Sequence, residues 1–419
     1  MRIRYAVPFL AVAGVHSAHA SVVVVGSCIA GATSLPTIGQ AITAAGANAT
    51  IKICPGTYAE QLTITKNLTL VGVTSAGAAQ VLLVPPAAGL ANNAPDLDTG
   101  QATAAQIAVQ GATVSISNIT LDGSGNGAGT YGCAWDVVGI AYQNASGTIS
   151  DTLIRNEYLA PFASLGGCQS GQGIFVQTSA GKTSAVKVLR NTVETYQKNG
   201  ITGNDTGTNL TVTGNTVLGL GPTTGAAENS VQIAYGATGS VSANIVGGDI
   251  WQPDTFGDTG NAAAGILAYA SAGVVITANT INSTQYAIAV AGDGNGDGDG
   301  AQITNNKIGV TYLYDAIDVC GAGHATITGN AANASDESAI HLDSSCGTAS
   351  TGNTVSGNKI NGACAAILQG AGSGGTIGTN TVVNATSVTL SGSDVCGSGT
   401  QTSGAAAKQP AGMHFRPMR

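Results

Sequence analysis

Two short runs in the second half of the chain carry residues suited to acid–base chemistry, and they read Ala316-Ile-Asp-Val and Ala339-Ile-His-Leu-Asp. If they are neighbouring strands of a parallel sheet, alignment on Ile puts Asp318 beside His341, with Asp343 two residues further along the same face. The two carboxylates are then diagonal, with about 8 Å between their backbones. This separation is compatible with an acid and a base that act through a water, as in inverting glycoside hydrolysis. We therefore predict Asp318, His341 and Asp343 as catalytic residues; the alternative is a solvated face on which His341 and Asp343 only pair with each other.

Large aromatic residues are the candidates for substrate binding. Aromatic rings stack on sugar rings through apolar contacts, so a groove lined by them would suit a polysaccharide. The candidates are Trp135, Phe175, Trp251 and Phe256. Acidic residues near them form two further carboxylate pairs, Asp136 with Glu157 and Asp254 with Asp258. The alternative is that each tryptophan packs its own loop against the body of the protein.

A glycine-rich acidic run, Asp293-Gly-Asn-Gly-Asp-Gly-Asp-Gly, has oxygen ligands at every second position. Asp293, Asn295 and Asp297 match positions 1, 3 and 5 of the helix-loop-helix calcium motif, whose invariant glycine is also present. The closing Glu of that motif is absent, so calcium would need another ligand such as Asp299. We predict a Ca²⁺ site at these four residues; the alternative is a flexible acidic turn.

These candidates are positioned by a repeat, of which Thr211-Val-Thr-Gly-Asn-Thr-Val is one copy. Val or Ile alternates with Thr or Ser on both sides of the Asn, which predicts a strand, a sharp corner and a second strand. Successive copies from Asn191 onward are 22 to 35 residues apart, and this drifting period favours a β-solenoid over helical repeats of fixed length. Because Asn tolerates the left-handed conformation, we place it at the corner itself. The copies centre on Asn118, Asn156, Asn191, Asn215, Asn244, Asn279, Asn306, Asn330, Asn358 and Asn380, and we expect those from Asn191 to Asn358 to stack along one corner.

A second recurring run has a small residue before Ile or Val, as in Gly139-Ile-Ala and Gly173-Ile-Phe-Val. The spacing from this Gly-Ile run to the next repeat Asn is nearly constant, whereas the other half of the coil varies and carries the insertions. We expect these insertions to form a wall beside the Gly-Ile strands. A substrate would then lie along the outer face of those strands.

The ends of the chain differ from its body. Residues 1–20 have two arginines, an apolar run and small residues before a cleavage point, which predicts a secretory signal peptide and a secreted or periplasmic location. Residues 21–397 form the predicted solenoid domain, and residues 398–419 lose the strand alternation and are expected to be disordered. Within the domain, apolar residues at helical spacing over residues 37–45 predict a short helix that covers the first coil.

Composition limits the partners. The chain has 22 acidic and 14 basic residues and a formal net charge of −8. An acidic chain without a basic patch argues against nucleic acid as a partner, and no apolar run is long enough to span a membrane. We expect a monomer of one domain, because a solenoid grows along its axis without a larger core.

Eight cysteines in a chain predicted to be exported indicate disulfides rather than a metal site, since no CxxC pair occurs. Sequential pairing joins residues that are 26, 35, 26 and 32 positions apart, which is about one coil in each case. We therefore predict the pairs Cys28–Cys54, Cys133–Cys168, Cys320–Cys346 and Cys364–Cys396.

The run from Ile38 to Gly72, which includes IKICPGTYAEQLTITKNLTLVG, resembles the start of pectin methylesterases and of other right-handed parallel β-helix proteins of the pectin lyase-like superfamily. The Asn-centred repeats up to about residue 390 are similar to the repeats of that superfamily. The resemblance implies an all-β, single-stranded right-handed parallel β-helix of about ten to twelve coils with a short N-terminal capping helix. The catalytic patterns of pectin methylesterases and polygalacturonases are absent, so no catalytic residue is carried over.

Together these features predict a secreted β-helix protein that binds and cleaves an extracellular polysaccharide, as a lyase or a hydrolase, along its Gly-Ile face. The alternative is a non-catalytic, adhesin-like structural β-helix.

Overall fold

The computed structural model describes residues 21–74, 80–126, 132–159, 168–252, 262–294, 297–393 and 396. Several predictions from the sequence lie outside these residues. They concern the signal peptide (1–20), the tail (398–419), Phe256, Asn295 and the pair Asp254 and Asp258.

The chain winds into a solenoid whose strands stack in parallel on three faces. Face A precedes the Asn corner and consists of Val22–Val25, Ser34–Leu35, Ala49–Ile53, Leu68–Gly72, Thr113–Ser117, Ser146–Ser150, Ser184–Leu189, Thr208–Thr213, Thr238–Ser242, Val275–Thr277, Gln302–Thr304, Thr326–Thr328, Asn353–Ser356 and Gly375–Ile377. Face B follows that corner and consists of Gly56–Ala59, Val81–Val84, Thr120–Asp122, Leu153–Arg155, Thr192–Glu194, Thr216–Thr223, Ile245–Trp251, Thr280–Asn282, Lys307–Ile308 and Ala331–Asn333. Face C holds the Gly-Ile runs and consists of Leu62–Ile64, Ala102–Gln110, Trp135–Gln143, Gln172–Gln177, Asn199–Asn204, Asn229–Ala234, Ala264–Tyr269, Tyr286–Ala291, Ile317–Cys320 and Ser338–Asp343. The long strands Lys359–Gln369 and Thr381–Ser391 each contribute to both B and C.

Alternation of apolar and polar residues explains the faces. On face A, for example, Val212 is buried and its neighbours Thr211 and Thr213 are only partly buried, because strand neighbours point to opposite sides. The Ile or Val of each Gly-Ile run stacks on the equivalent residue of the next turn, as Ile288 does on Ile317. These side chains fill one continuous core.

A ladder of buried asparagines joins the turns at the corner between faces A and B. The backbone N–H and Nδ2 of Asn279 both donate to Oδ1 of Asn306, each over 3.0 Å, and Nδ2 also donates to the carbonyl oxygen of Val241 on the preceding turn. The same pattern repeats from Asn191 to Asn358, which donates to Asn380. The predicted stack of seven asparagines is therefore confirmed.

The conformation assigned to these asparagines from the sequence was wrong. The left-handed residue is the one before each ladder Asn, for example Arg190 at φ 55°, Ala243 at φ 54° and Ala278 at φ 57°. Asn118 occupies that left-handed position itself, at φ 57°. The ladder Asn is required for its hydrogen bonds, and its neighbour makes the turn.

The predicted capping helix spans Ile38–Ala44 and buries Ile38, Ala41 and Ile42 against the first strands. Thr37 caps it by accepting a hydrogen bond from the backbone N–H of Gln40. The carboxylate of Glu60 accepts the N–H groups of Ile38 and Gly39, both over 2.8 Å, which satisfies two donors at the helix start. Within the described residues, no helix is long and apolar enough to cross a membrane.

All four predicted disulfides are present. Each closes a loop of about one turn, so each joins neighbouring coils. Four disulfides are typical of proteins from an oxidising compartment.

Loss of one ladder asparagine should weaken the fold strongly. Asn279→Ala removes the acceptor for two donors of Asn244 and a donor to Val241, all in the buried corner. We expect the free energy of unfolding to fall by about 3 kcal/mol or more, because unsatisfied buried polar groups cost about 1–3 kcal/mol each. The control is Asn209→Ala at an exposed position, which should change stability by less than about 0.5 kcal/mol. Equal effects of the two variants in denaturant unfolding would contradict this role of the ladder.

Candidate acid–base site

The outer side of face C is buried over most of its length. The side chains next to the core Ile point outward as predicted, but Phe175, Thr202, Gln232, Asp318 and His341 are all 0 to 2% exposed. The prediction of an open substrate face along these strands is therefore wrong for this part of the chain. The alternative of a solvated His341–Asp343 pair is wrong for the same reason.

One insertion explains part of this burial. Residues 85–101 cross the outer side of face C instead of forming a wall beside it. The backbone N–H of Leu97 donates to Oε1 of Gln177 over 2.7 Å, and Nε2 of Gln143 donates to the carbonyl oxygen of Pro95 over 2.7 Å. The insertion thus covers two successive turns.

The predicted catalytic residues lie together in a buried cluster. Asp318 pairs with His341 in the strand register, as predicted. The Nδ1 atom of His341 is 3.1 Å from Oδ2 of Asp315 and 3.9 Å from Oδ1 of Asp318, and its Nε2 is 3.9 Å from Oδ1 of Asp343. One imidazole is therefore surrounded by three aspartates. We call these residues, together with Glu337, the acid–base cluster.

Glu337 is the fifth member of the cluster. It is 2% exposed, and within the described residues neither of its carboxylate oxygens accepts a hydrogen bond. Burial raises its pKa well above the ordinary value, and the negative charges of Asp315, Asp343 and Asp318 add to this, while His341 opposes it. These effects favour the protonated, neutral form of Glu337.

Hydrogen bonds fix two of the other acids. Oδ1 of Asp315 accepts from the backbone N–H and the hydroxyl of Ser338, over 2.9 and 2.5 Å. Asp343 accepts from the N–H and hydroxyl of Ser345, both over 2.7 Å. These bonds hold both carboxylates in fixed orientations within the cluster.

Three members of the cluster have donor atoms suited to a metal ion. Asp315, Asp318 and His341 each offer one ligand atom, and these atoms lie within 4.8 Å of one another. Cys320 is also near Asp318 but is held in its disulfide.

The segment before Ile317–Cys320 lies against the cluster. Tyr314 stacks on Tyr286, with 4.6 Å between ring centroids. Burial raises the pKa of Tyr286, and the negative charges of Asp318 and Asp315 raise it further. Leu313 has φ 72°, a conformation that costs free energy in a residue with a side chain. Tyr312 beside it is 40% exposed.

Of the predicted substrate-binding aromatic residues that the structure describes, Phe175 is too deeply buried to contact a sugar. Phe175 is buried among alanines of face C and Ala94 of the covering insertion. Trp135 is partly buried and packs on a small cluster that includes Leu90 and Leu159, in agreement with the alternative that it packs its own region. Trp251 is partly buried and ends a strand of face B.

The acidic loop borders an open cavity of about 740 Å³. Asp293 and Asp297 line it together with Asp98, Asp205 and Tyr235. The backbone N–H of Asp293 donates to Oδ1 of Asp297 over 3.2 Å, and burial followed by the hydrogen bond with Asp293 raises the pKa of Asp297.

The fourth predicted calcium ligand turns elsewhere. Asp299 accepts the N–H of Gly323 over 2.5 Å on the neighbouring turn. The Ca²⁺ site in this loop remains a prediction.

Sequence reasoning missed Asp315 and Glu337. Asp315 lies two residues before the core Ile317 and outside the strand Ile317–Cys320, so strand alternation does not place it beside Asp318. Glu337 precedes the strand Ser338–Asp343, at the corner where the chain enters face C, and strand periodicity does not extend there.

Comparison with known proteins supports the fold. No family model matches the sequence, and no curated protein matches it. The crystal structure of the GH136 lacto-N-biosidase from Eubacterium ramulus is similar, with a TM-score of 0.56 and 12% identity over 86% of this chain and 64% of that one. Its selenomethionine derivative gives the same TM-score over 89% and 67%. The fold is the right-handed parallel β-helix.

This β-helix chain spans about two thirds of the length of the lacto-N-biosidase. The Dettilon tailspike protein gp208 gives a TM-score of 0.49 at 13% identity, over 79% of this chain and 61% of that one. At these identities the likeness concerns the fold alone. The resemblance of residues 38–72 to right-handed parallel β-helix proteins is confirmed at that level.

Replacement of Glu337 should change how stability depends on pH. The pKa of Glu337 is raised in the folded state. Its contribution to the free energy of unfolding is therefore fully present below the unfolded pKa of about 4.3 and is lost as pH rises toward the folded pKa. Glu337→Gln should therefore become more stable relative to the parent protein as pH rises above about 4.3. The slope is at most about 1.4 kcal/mol per pH unit.

Chemical unfolding at several pH values measures this difference. The control is the same substitution, Glu194→Gln, at a half-buried position on face B. A constant difference between Glu337→Gln and the parent protein at all pH values would show that Glu337 does not retain its proton.

Calcium binding by the acidic loop is tested separately. Asp293→Asn with Asp297→Asn removes both carboxylates from the cavity wall. If the loop binds Ca²⁺, the ion raises the melting temperature of the parent protein by mass action, and the double variant should lose that part of the rise. An identical calcium response in both proteins would place the ion elsewhere.

Proposed function

We propose that this β-helix protein acts on a glycan, with the acid–base cluster as its catalytic centre. The observation that carries the proposal is the convergence of four carboxylates and one imidazole from two successive turns of face C, at the distances given above. Buried, mutually shifted acids of this kind are concentrated in catalytic sites. The likeness in fold to a lacto-N-biosidase supports a carbohydrate substrate.

We assign each acidic residue a catalytic role from its protonation and its contacts. Burial and acidic neighbours favour the protonated form of Glu337, and we assign it the role of proton donor to a glycosidic oxygen. Asp318 is the carboxylate that takes a proton from the attacking water. Asp315 orients His341 through Nδ1.

Access to the cluster requires movement of the segment that covers it. We assign this role to residues 310–314, in which Leu313 has φ 72° and Tyr312 is 40% exposed. When it moves, Tyr312 can stack on a sugar ring. The glycan then enters at one point of face C and does not run along its whole length.

The competing proposal is a non-catalytic structural β-helix. It is favoured by the 0 to 2% exposure of every member of the cluster. In that case the hydrogen bonds and ion pairs of the cluster would only stabilise the contact between two successive turns of face C.

A product screen separates the two proposals. The protein is incubated with acidic and neutral polysaccharides and oligosaccharides, with and without chelator, and both reducing ends and unsaturated products are measured. New reducing ends alone indicate a hydrolase, and unsaturated products indicate a lyase. Absence of both products and of binding on every glycan would favour the structural β-helix.

Two substitutions test whether the catalytic activity depends on the acid–base cluster. Glu337→Gln and Asp318→Asn should lower the rate by about 100-fold or more, the usual contribution of a general acid or base, while the chain stays folded by circular dichroism. The matched control is Glu228→Gln, another fully buried glutamate whose pKa burial raises and which lies outside the cluster. Full activity in both cluster variants would contradict the assigned roles.

A further inference from the structure

A second set of buried polar atoms lies in the first half of the solenoid, away from the acid–base cluster. Glu157 is 0% exposed, and neither of its carboxylate oxygens has a hydrogen-bond partner in the part of the chain that the structure describes. Gln106 is also 0% exposed, and its Oε1 accepts no hydrogen bond from the described residues. Three buried acceptor oxygens are thus without a donor.

Both side chains reach the backbone at Asp122 and Gly123. Gln106 extends from the strand Ala102–Gln110, and its Nε2 donates to the carbonyl oxygen of Asp122 over 3.2 Å. Glu157 comes from the turn beyond, and its Oε2 lies 2.7 Å from the point that a Cβ on Gly123 would occupy. Its Oε1 lies 3.0 Å from the same point on Gly139.

Glycines on the middle turn leave room for the Glu157 carboxylate. The residues on either side of Gly139 pair with those on either side of Gln106, so Gly139 stacks directly on Gln106. A side chain at Gly123 or Gly139 would collide with the Glu157 carboxylate. The site therefore spans three successive turns.

The charges around Glu157 are negative. Burial, followed by the charges of Asp122 and Asp136, raises its pKa well above the ordinary value. Arg155, two residues before Glu157, is paired with Asp122 over 2.9 Å. Asp136 already accepts three hydrogen bonds, including one of 2.6 Å from Gln172.

We propose that Glu157 and Gln106 bind a hard metal cation inside the solenoid, across Gly123 and Gly139. A proton on Glu157 supplies one donor for three acceptor oxygens, whereas a cation can contact all three. Carboxylate and amide oxygens are the ligands of calcium and similar cations, and backbone carbonyls or water complete the shell. The ion would fasten three turns together.

The test uses calcium as the probe in the double variant Asp293→Asn, Asp297→Asn, so that the acidic loop does not contribute. Chelator-treated protein is titrated with Ca²⁺ by calorimetry, and its melting temperature is followed. We expect one ion per chain and a rise of the melting temperature. Glu157→Gln should abolish both, and Gln106→Leu, which keeps the carboxylate, should weaken binding at least several-fold.

Two results would overturn the proposal. The first is an unchanged calcium response in Glu157→Gln. The second is the absence of binding to Ca²⁺, Mg²⁺ and K⁺ together with a higher melting temperature of Glu157→Gln at neutral pH, which would identify Glu157 as a neutral buried acid. If Glu157→Gln does not fold, Gln106→Leu decides the question, because unchanged affinity in that variant excludes the site.

Discussion

A side-chain amide that is buried away from water must satisfy one oxygen and two N–H bonds, and this requirement determines how the turns of the solenoid stack. In the ladder, each Oδ1 accepts two bonds from one neighbouring turn, while Nδ2 donates to both neighbouring turns. A shift of one turn by a single residue would break several of these bonds at once and turn the core Val and Ile residues outward. The ladder therefore fixes the register that places Asp318 beside His341.

The same rule makes the exceptions informative. Buried polar groups are usually paired, and those that are not need an explanation such as a proton, a water or an ion. Among the buried glutamates that the structure describes, Glu337 and Glu157 are the two with neither carboxylate oxygen bonded. Glu337 lies among acids and an imidazole, which favours proton transfer. Glu157 lies against Gly123 and Gly139 and near the negative charges of Asp122 and Asp136, which favours a cation.

Insertions between faces B and C decide what a ligand can reach. Residues 85–101 bond to Gln143 and Gln177 and bury the outer side of two turns, so the stacked strands do not present a continuous groove. Accessible polar surface is found instead around the acidic cavity near Asp293 and Asp297. Four aspartates in its wall would repel an anionic polysaccharide unless a cation bridges them.

The sequence by itself determined the features that depend on short-range periodicity. The alternation of Val or Ile with Thr or Ser, the repeat Asn and the one-turn cysteine spacings predicted the parallel strands, the ladder and all four disulfides, because each follows from how one turn stacks on the next. The same logic predicted the contact of Asp318 with His341. Only the tertiary structure showed that the residue before each ladder Asn turns the corner, that Asp315 and Glu337 join the cluster, and that Phe175 is buried. Those features depend on the paths of corners and insertions, which have no period in the sequence and are set by long-range packing and hydrogen bonds.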